Sequence, residues 1–140
     1  FLENSFIDWF FRGQAYPPPA SLHVALFTAA PGEAGGGAEV SGGSYARLSV
    51  ARSLAAWAGT QAVGSTTASS GSNGTTSNNA AITFPAPTAD WGSVTHWGIY
   101  DAASGGNLLY YAALATPKTI NDGDAAPSFA AGALSVQVDD

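Results

Sequence analysis

The sequence lacks cysteine and is poor in charged residues. Without cysteine, neither a disulfide framework nor a thiolate metal site can form. Charged residues make up 10% of the 140 positions, whereas ~25% is usual in soluble domains. The surface must therefore consist largely of Ser, Thr, Asn, Gly and Ala. Two explanations are open: a surface covered by further copies or by partners, and a compositional bias towards Ala and Gly.

Basic residues are especially scarce. The chain has four of them and a net charge of −6. Nucleic-acid binding depends on clustered Lys and Arg at the phosphates, so we expect no nucleic-acid partner. We also expect no membrane partner, because no apolar run approaches the ~20 residues that span a bilayer. Residues 1–16 are apolar but lack a basic leader, and Glu3 and Asp8 interrupt them, so they do not resemble a signal peptide.

The remaining pattern predicts an all-β fold in a single domain, 1–140. Alternating apolar residues between Gly, Pro and Asn predict strands at 21–30, 45–52, 80–86, 94–101, 107–114, 117–120 and 132–138. Such a series indicates an antiparallel β-sandwich or jelly-roll-like fold with one short N-terminal helix. Residues 64–79 are almost wholly small and polar, which predicts a flexible surface loop.

The helix is predicted at 2–12, within an N-terminal helix or arm over 1–16. Leu2, Phe6, Trp9 and Phe10 recur at helical spacing, and Gly13 is a natural stop. The helix is unusually aromatic for its length. Two roles are open for it: a cap on the domain core, and a docking surface for a neighbouring subunit.

The residues that could carry chemistry do not form an active-site pattern. Period-2 alternation places Val94, His96 and Gly98 on one face of a strand, and Thr95, Trp97, Ile99 and Asp101 on the other. His96 and Asp101 are then separated, and no G-x-S-x-G elbow supplies a nucleophile. We therefore predict no catalytic residue.

The segment N-D-G-D, residues 121–124, resembles a calcium loop only superficially. It lacks the glutamate that closes an EF-hand loop, so we predict a turn. The two histidines, His23 and His96, have no carboxylate at metal-ligand spacing. We expect no metal site and no cofactor.

Five segments carry a family resemblance. They are A-L-F-T-A-A-P at 25–31, E-V-S-G-G-S-Y-A-R at 39–47, F-P-A-P-T-A-D-W-G-S-V-T-H at 84–96, G-I-Y-D-A-A-S-G-G-N-L-L at 98–109 and K-T-I-N-D-G-D at 118–124. In the residues of these segments and in their order along the chain, the sequence resembles a family of small structural proteins of tailed bacteriophages. Members of this family are either head-decoration (cement) proteins or tail-fibre-associated proteins. The Ala- and Gly-rich composition is similar to that of a capsid cement protein of a short-tailed phage. The aromatic start and the long polar loop depart from the usual pattern.

The resemblance implies a virion component and not an enzyme. We expect a cement protein made in the host cytoplasm and placed on the capsid surface, where it bridges subunits of the major capsid protein. A dimer or trimer at the capsid symmetry axes is expected. The candidate interface residues are aromatic or apolar anchors of the helix and two possible ion-pair partners: Leu2, Phe6, Trp9, Phe10, Phe11, Arg47 and Arg52.

Two alternatives remain open. A tail-fibre or baseplate-associated protein would contact host-surface glycans through Trp91, Trp97 and Tyr110. A hydrolase would use Asp90, Asp101 or His96.

Overall fold

The computed structural model describes residues 1–59 and 62–138. In these ranges it contains one helix, α1 (Leu2–Arg12), and eight strands: β1 (Ser21–Phe27), β2 (Leu48–Ala51), β3 (Thr75–Ser77), β4 (Ile82–Thr83), β5 (Gly92–Tyr100), β6 (Leu108–Ile120), β7 (Ser128–Phe129) and β8 (Ser135–Gln137). Thr60, Gln61, Asp139 and Asp140, which belong to the predicted domain 1–140, lie outside the described residues. The prediction of an all-β antiparallel fold with one short N-terminal helix is confirmed.

Helix α1 has the predicted bounds. Gly13 ends it in the left-handed conformation, with φ of 68°, where a residue without Cβ carries no steric penalty. The N–H of Gln14 then donates to the carbonyl of Asp8 at 3.0 Å. None of the residues in α1 is buried. The predicted role as a cap on the core is therefore wrong, because a cap would bury at least one side of the helix.

Four strands form the main sheet, in the order β2-β1-β5-β6 with antiparallel pairing throughout. The sequence predicts two strands, 107–114 and 117–120, where the structure has the single strand β6. Pro117 lies inside β6, which is possible because β6 is an edge strand and the missing N–H is not needed for pairing.

A bulge in the β5–β6 pair corrects the predicted side-chain directions. Val94 pairs with Lys118, whereas His96 pairs with Ala113, so Thr95 faces four residues of β6. Such an irregularity breaks the strict alternation along β5. As a result Val94 lies in the same buried cluster as Trp97 and Ile99, and its predicted placement on the opposite face is wrong.

The other strands form two short antiparallel ribbons, β3 with β8 and β4 with β7. Strand β3 was not expected, because it lies in the polar segment 64–79. Its backbone pairs with β8, and the hydroxyl of Thr76 donates to the carbonyl of Ala58 at 2.8 Å. Composition alone does not reveal this pairing, since small polar residues retain full backbone hydrogen-bonding capacity.

The main core lies between the four-stranded sheet and the two ribbons. It joins side chains from β1 and β5 to Ile82 of β4 and to Leu134, which precedes β8. A smaller cluster on the opposite face of β1 contains Ala25 and Phe27 with Tyr100 and Leu108. Both faces of β1 therefore pack against other side chains.

Candidate functional site

The apolar face of α1 is the most prominent uncovered feature of the molecule. Helical periodicity places six apolar residues on one side and Asn4, Ser5, Asp8 and Arg12 on the other. In most amphipathic helices the apolar side packs on the core. Here all six are exposed: Leu2, Phe6, Ile7, Trp9, Phe10 and Phe11, with Phe11 the most exposed at 72%.

The extent of this face is large for a single helix. A full aromatic side chain presents about 150–250 Å², so the exposed fractions correspond to roughly 600 Å² of apolar surface. The largest apolar patch on a typical monomer measures about 300–600 Å², and patches of that size are commonly interaction sites. The apolar face of α1 therefore lies at the upper end of this range.

The rings of this face contact one another. The rings of Phe6 and Phe10 stack with centroids 5.7 Å apart, and Phe10 meets Phe11 edge-on at 5.0 Å. Trp9 contacts both Phe6 and Phe10. These contacts join the four rings into one aromatic cluster on the surface of the helix.

An apolar groove lies next to α1. It has a volume of about 660 Å³. Its walls come from the start of α1, from the segments before β1 and after β2, and from side chains of β1, β3, β5, β6 and β8. The main lining residues are Leu2, Tyr16, Leu22, Leu54, Trp57 and Val136. The indole Nε1 of Trp57 is buried without a hydrogen-bond partner in the part of the chain that the structure describes. Apart from Leu2, these residues were not proposed as interface residues from the sequence, because they come from segments that lie far apart in the chain.

Arg47 lies at the centre of a polar network inside the molecule. Its Nε and Nη2 donate to the two carboxylate oxygens of Glu39, at 2.8 and 2.7 Å. Its Nη1 donates to the carbonyls of Ala102 and Gly105, both at 2.8 Å. The guanidinium also lies 3.5 Å from the ring centre of Tyr100. With its side chain 7% exposed, Arg47 ties the loop before β2 to the β5–β6 hairpin.

The same network perturbs the titration of its members. The hydrogen bonds to Glu39 raise the pKa of Arg47, although burial opposes them. Burial raises the pKa of the Tyr45 hydroxyl, which accepts from the N–H of Leu26 at 3.1 Å and donates to Glu39 at 2.8 Å. Burial and the charge of Glu39 also raise the pKa of Tyr100. All three pKa shifts favour the charged form of Arg47 and the neutral forms of the two phenols.

Arg47 and Arg52 therefore differ, although the sequence predicts both as interface residues. Arg47 uses Nε and both terminal nitrogens inside the molecule, so we leave it out of the interface. Arg52 is exposed, lines the apolar groove and donates from Nε to the carbonyl of Pro19 at 2.8 Å. Its role at an interface stays a prediction.

The segment 39–47 thus has an internal structural role. Besides Glu39, Tyr45 and Arg47, it contains Gly43, whose φ is +54°. A Cβ on Gly43 would lie 2.9 Å from the indole nitrogen of Trp91, and that nitrogen donates to the carbonyl of Gly43 at 2.9 Å. Only glycine fits this close approach.

The residues weighed for catalysis have separate local roles. Asp101 accepts hydrogen bonds from the backbone and the side chain of Asn107, at 2.7 and 2.8 Å. His96 Nδ1 instead pairs with the hydroxyl of Thr95 at 2.8 Å. Asp90 accepts from the N–H of Asp122 at 2.8 Å. The structure therefore does not assemble these three side chains into one site.

The segment 121–124 forms a turn, as predicted. The N–H of Asn121 donates to the carboxylate of Asp124 at 2.8 Å, and Gly123 has φ of +80°. Across residues 1–59 and 62–138, no group of three or more His, Cys, Asp or Glu is placed to hold a metal ion. Within the same ranges, no helix has the length and apolarity needed to cross a membrane.

The aromatic residues weighed for glycan contact are mostly inside the core. Trp91 is 5% exposed and Trp97 is 4% exposed. Trp97 packs on Tyr110 with ring centres 5.5 Å apart. A sugar ring cannot stack on an indole that is already covered, so the prediction of glycan contact through Trp91 and Trp97 is wrong.

These features define a class of protein. An all-β scaffold with an internally paired polar network and an uncovered aromatic helix is suited to be a structural subunit of a larger assembly. The family model described as Podophage GP4 fiber I protein gp80 matches residues 1–137, and the chain belongs to this family of structural proteins of short-tailed phages. The match includes α1 and the segment 64–79, so neither lies outside the family. No curated protein matches the chain.

Proposed function

We propose that this protein is a structural subunit of a fibre of a short-tailed phage virion and that it is held there by burial of the apolar face of α1. The observation that carries the proposal is the family match over residues 1–137, whose description names a fibre protein. The structure supports it with an apolar face of roughly 600 Å² that the described residues leave uncovered.

The family description favours the fibre over the predicted capsid cement. A cement role on the capsid surface, with the major capsid protein as partner, stays a prediction. Both roles need a protein that binds by surface complementarity, and neither needs an active site. The proposal therefore concerns the place in the virion, and the match to a family of structural proteins supports a non-enzymatic role.

The proposed subunit supports the fibre and does not itself bind glycans through its tryptophans. Trp91 and Trp97 are buried, and Trp9, which is 53% exposed, belongs to the apolar face of α1. Receptor contact, where the fibre makes it, would then fall to other components or other surfaces.

The experiment is localisation in purified virions of the phage that encodes the protein. Gold-labelled antibody against the protein shows its position by electron microscopy, and quantitative mass spectrometry gives its copy number relative to the major capsid protein. We expect label on projecting fibres and far fewer copies than capsid subunits. Label spread evenly over the shell, with copies on the order of hundreds as a symmetric cover requires, would support cement instead. Absence from the virion would refute both.

A further inference from the structure

We infer that the apolar face of α1 binds in the apolar groove of a second copy of the same chain, in a reciprocal two-fold exchange. This inference deepens the proposed function, since it names what covers the helix. It concerns two surfaces already described, the face of α1 and the groove beside it, which share Leu2.

The groove has the character of a site for aromatic side chains. Its volume of about 660 Å³ lies within the ~300–1,000 Å³ typical of apolar binding pockets. Leu22, Trp57 and Val136 form part of its wall. A groove of this kind accepts an amphipathic helix through anchors spaced along one helical face. The apolar face of α1 offers such anchors in Phe6, Trp9 and Phe10.

The chain's own helix cannot fill this groove. Leu2 and the segment that follows α1, including Tyr16 and Pro19, already form part of the groove wall. The ring of Phe1 contacts that of Tyr16 at 6.5 Å, which fixes the start of the helix beside this wall. Moving α1 into the groove would dismantle the groove itself. The occupant must therefore come from another molecule.

The area argues for a second copy. A stable interface buries about 800 Å² on each partner, and the apolar face of α1 alone offers roughly 600 Å². In a reciprocal exchange each chain contributes both its helix and its groove, so the standard area is reached. A two-fold interface also requires that one chain carry both complementary surfaces. Here they lie side by side.

The charges are complementary as well. Arg52 is the one charged residue among the described residues that line the groove. Glu3 lies at the same side of α1 as Ile7 and Phe10 by helical spacing. Opposite charges at the edges of the two surfaces favour this pairing.

The absence of cysteine allows a direct test. Phe10→Cys places a thiol on α1 and Leu54→Cys places one at the groove, at positions 63% and 57% exposed. The two purified variants are mixed and oxidised, and intact-mass spectrometry identifies the disulfide-linked dimers. We expect the mixed dimer to dominate. Val138→Cys, 88% exposed and outside both surfaces, replaces either partner as the matched control and should give little product.

Sedimentation measures the association itself. We expect wild-type protein to form dimers at micromolar concentration, and Trp9→Ser with Phe10→Ser to weaken association at least ~10-fold, as loss of central aromatic anchors does. Val138→Ser should leave it unchanged. Circular dichroism checks that the variants keep their fold.

Three results would overturn the inference. The first is a wild-type protein that stays monomeric at roughly 100 μM, well above the expected micromolar range. The second is a Phe10→Cys homodimer as the main disulfide product, and the third is unchanged dimer formation by the double serine variant. Because these experiments use purified protein without virions, the inference can fail while the proposed place in the fibre stands.

Discussion

Replacing Arg47 by alanine tests the polar network most severely. The change leaves the carboxylate of Glu39, 24% exposed, without its bidentate partner, and leaves the carbonyls of Ala102 and Gly105 without their donor. It also removes the guanidinium from the ring of Tyr100. Breaking a buried ion pair on one side costs about 3–5 kcal/mol. Since Glu39 keeps partial access to water, we expect the lower end, about 3 kcal/mol.

The measurement is the free energy of unfolding, from urea titrations followed by tryptophan fluorescence. For a domain of this size, about 3 kcal/mol corresponds to a fall in the melting temperature of roughly 10 °C. Arg47→Lys should recover only part of the loss, because an ammonium group cannot reproduce the planar fork that grips Glu39.

Arg52→Ala is the matched control. It removes an exposed arginine with one hydrogen bond, to the carbonyl of Pro19, so we expect a loss below about 1 kcal/mol. Equal losses for Arg47→Ala and Arg52→Ala, or a loss below about 1 kcal/mol for Arg47→Ala, would refute the account of the network.

Three further predictions concern stability. Gly43→Ala should lower the free energy of unfolding by about 2–3 kcal/mol, because the added Cβ approaches Trp91 closely and the positive φ is strained as well. Its neighbour Gly42 has φ of +72° but open space around it, so Gly42→Ala should cost about 1 kcal/mol. Equal losses of unfolding free energy in urea titrations would contradict this explanation. Asn78→Leu should cost about 3 kcal/mol, because the side-chain amide of Asn78 donates to the carbonyls of Ala80 and Ala130 and its oxygen accepts from the N–H of Leu134. Asn121 is exposed and its side chain makes no hydrogen bond within residues 1–59 and 62–138, so Asn121→Leu should cost far less; thermal melting compares the two variants. The free energy of unfolding should fall as pH rises above about 10, because Tyr45 then loses its phenolic proton in the unfolded state, whereas its raised pKa keeps the proton in the folded state. Tyr45→Phe should show a shallower decline. An identical slope of the denaturation midpoints of both proteins from pH 8 to 11 would exclude Tyr45 as a cause.

Local patterns in the sequence predicted the helix and the long strands well. The bounds of α1 follow from the spacing of Phe6, Trp9 and Phe10 and from the stop at Gly13, and the structure reproduces them. Strands β1 and β5 carry enough alternating apolar residues to be recognised in isolation. These features depend on neighbours in sequence, which a single chain reveals.

The features that were missed depend on contacts between distant segments. Strand β3 exists because its backbone pairs with β8, and the side chains of Thr75–Ser77 give no sequence pattern from which that pairing could be predicted. The bulge at Thr95 moves Val94 to the side of Trp97 and depends on the register with β6. Trp91 and Trp97 are likewise buried by contacts with segments distant in sequence, so the sequence alone did not reveal that they are buried.

The same distinction between local and long-range features applies to the candidate site. The apolar face of α1 could be predicted, since it lies on one helix. The apolar groove could not, because Leu22, Trp57 and Val136 meet only after the sheet and the ribbons have packed. Arg47 was placed at the surface because arginine is rarely buried, and its bonds to Glu39 and to the β5–β6 hairpin span up to 58 positions in sequence.

The central claim is that the apolar face of α1 holds this protein in its virion. The most direct measurement is the amount of protein in particles from phage that encode Trp9→Ser with Phe10→Ser, compared by quantitative mass spectrometry with particles that encode Val138→Ser. All three side chains are exposed in the isolated subunit, so the fold is kept in both. The account predicts that the double variant is largely missing from the particles and the control is present at the wild-type level. Equal amounts of the two in purified virions would contradict it.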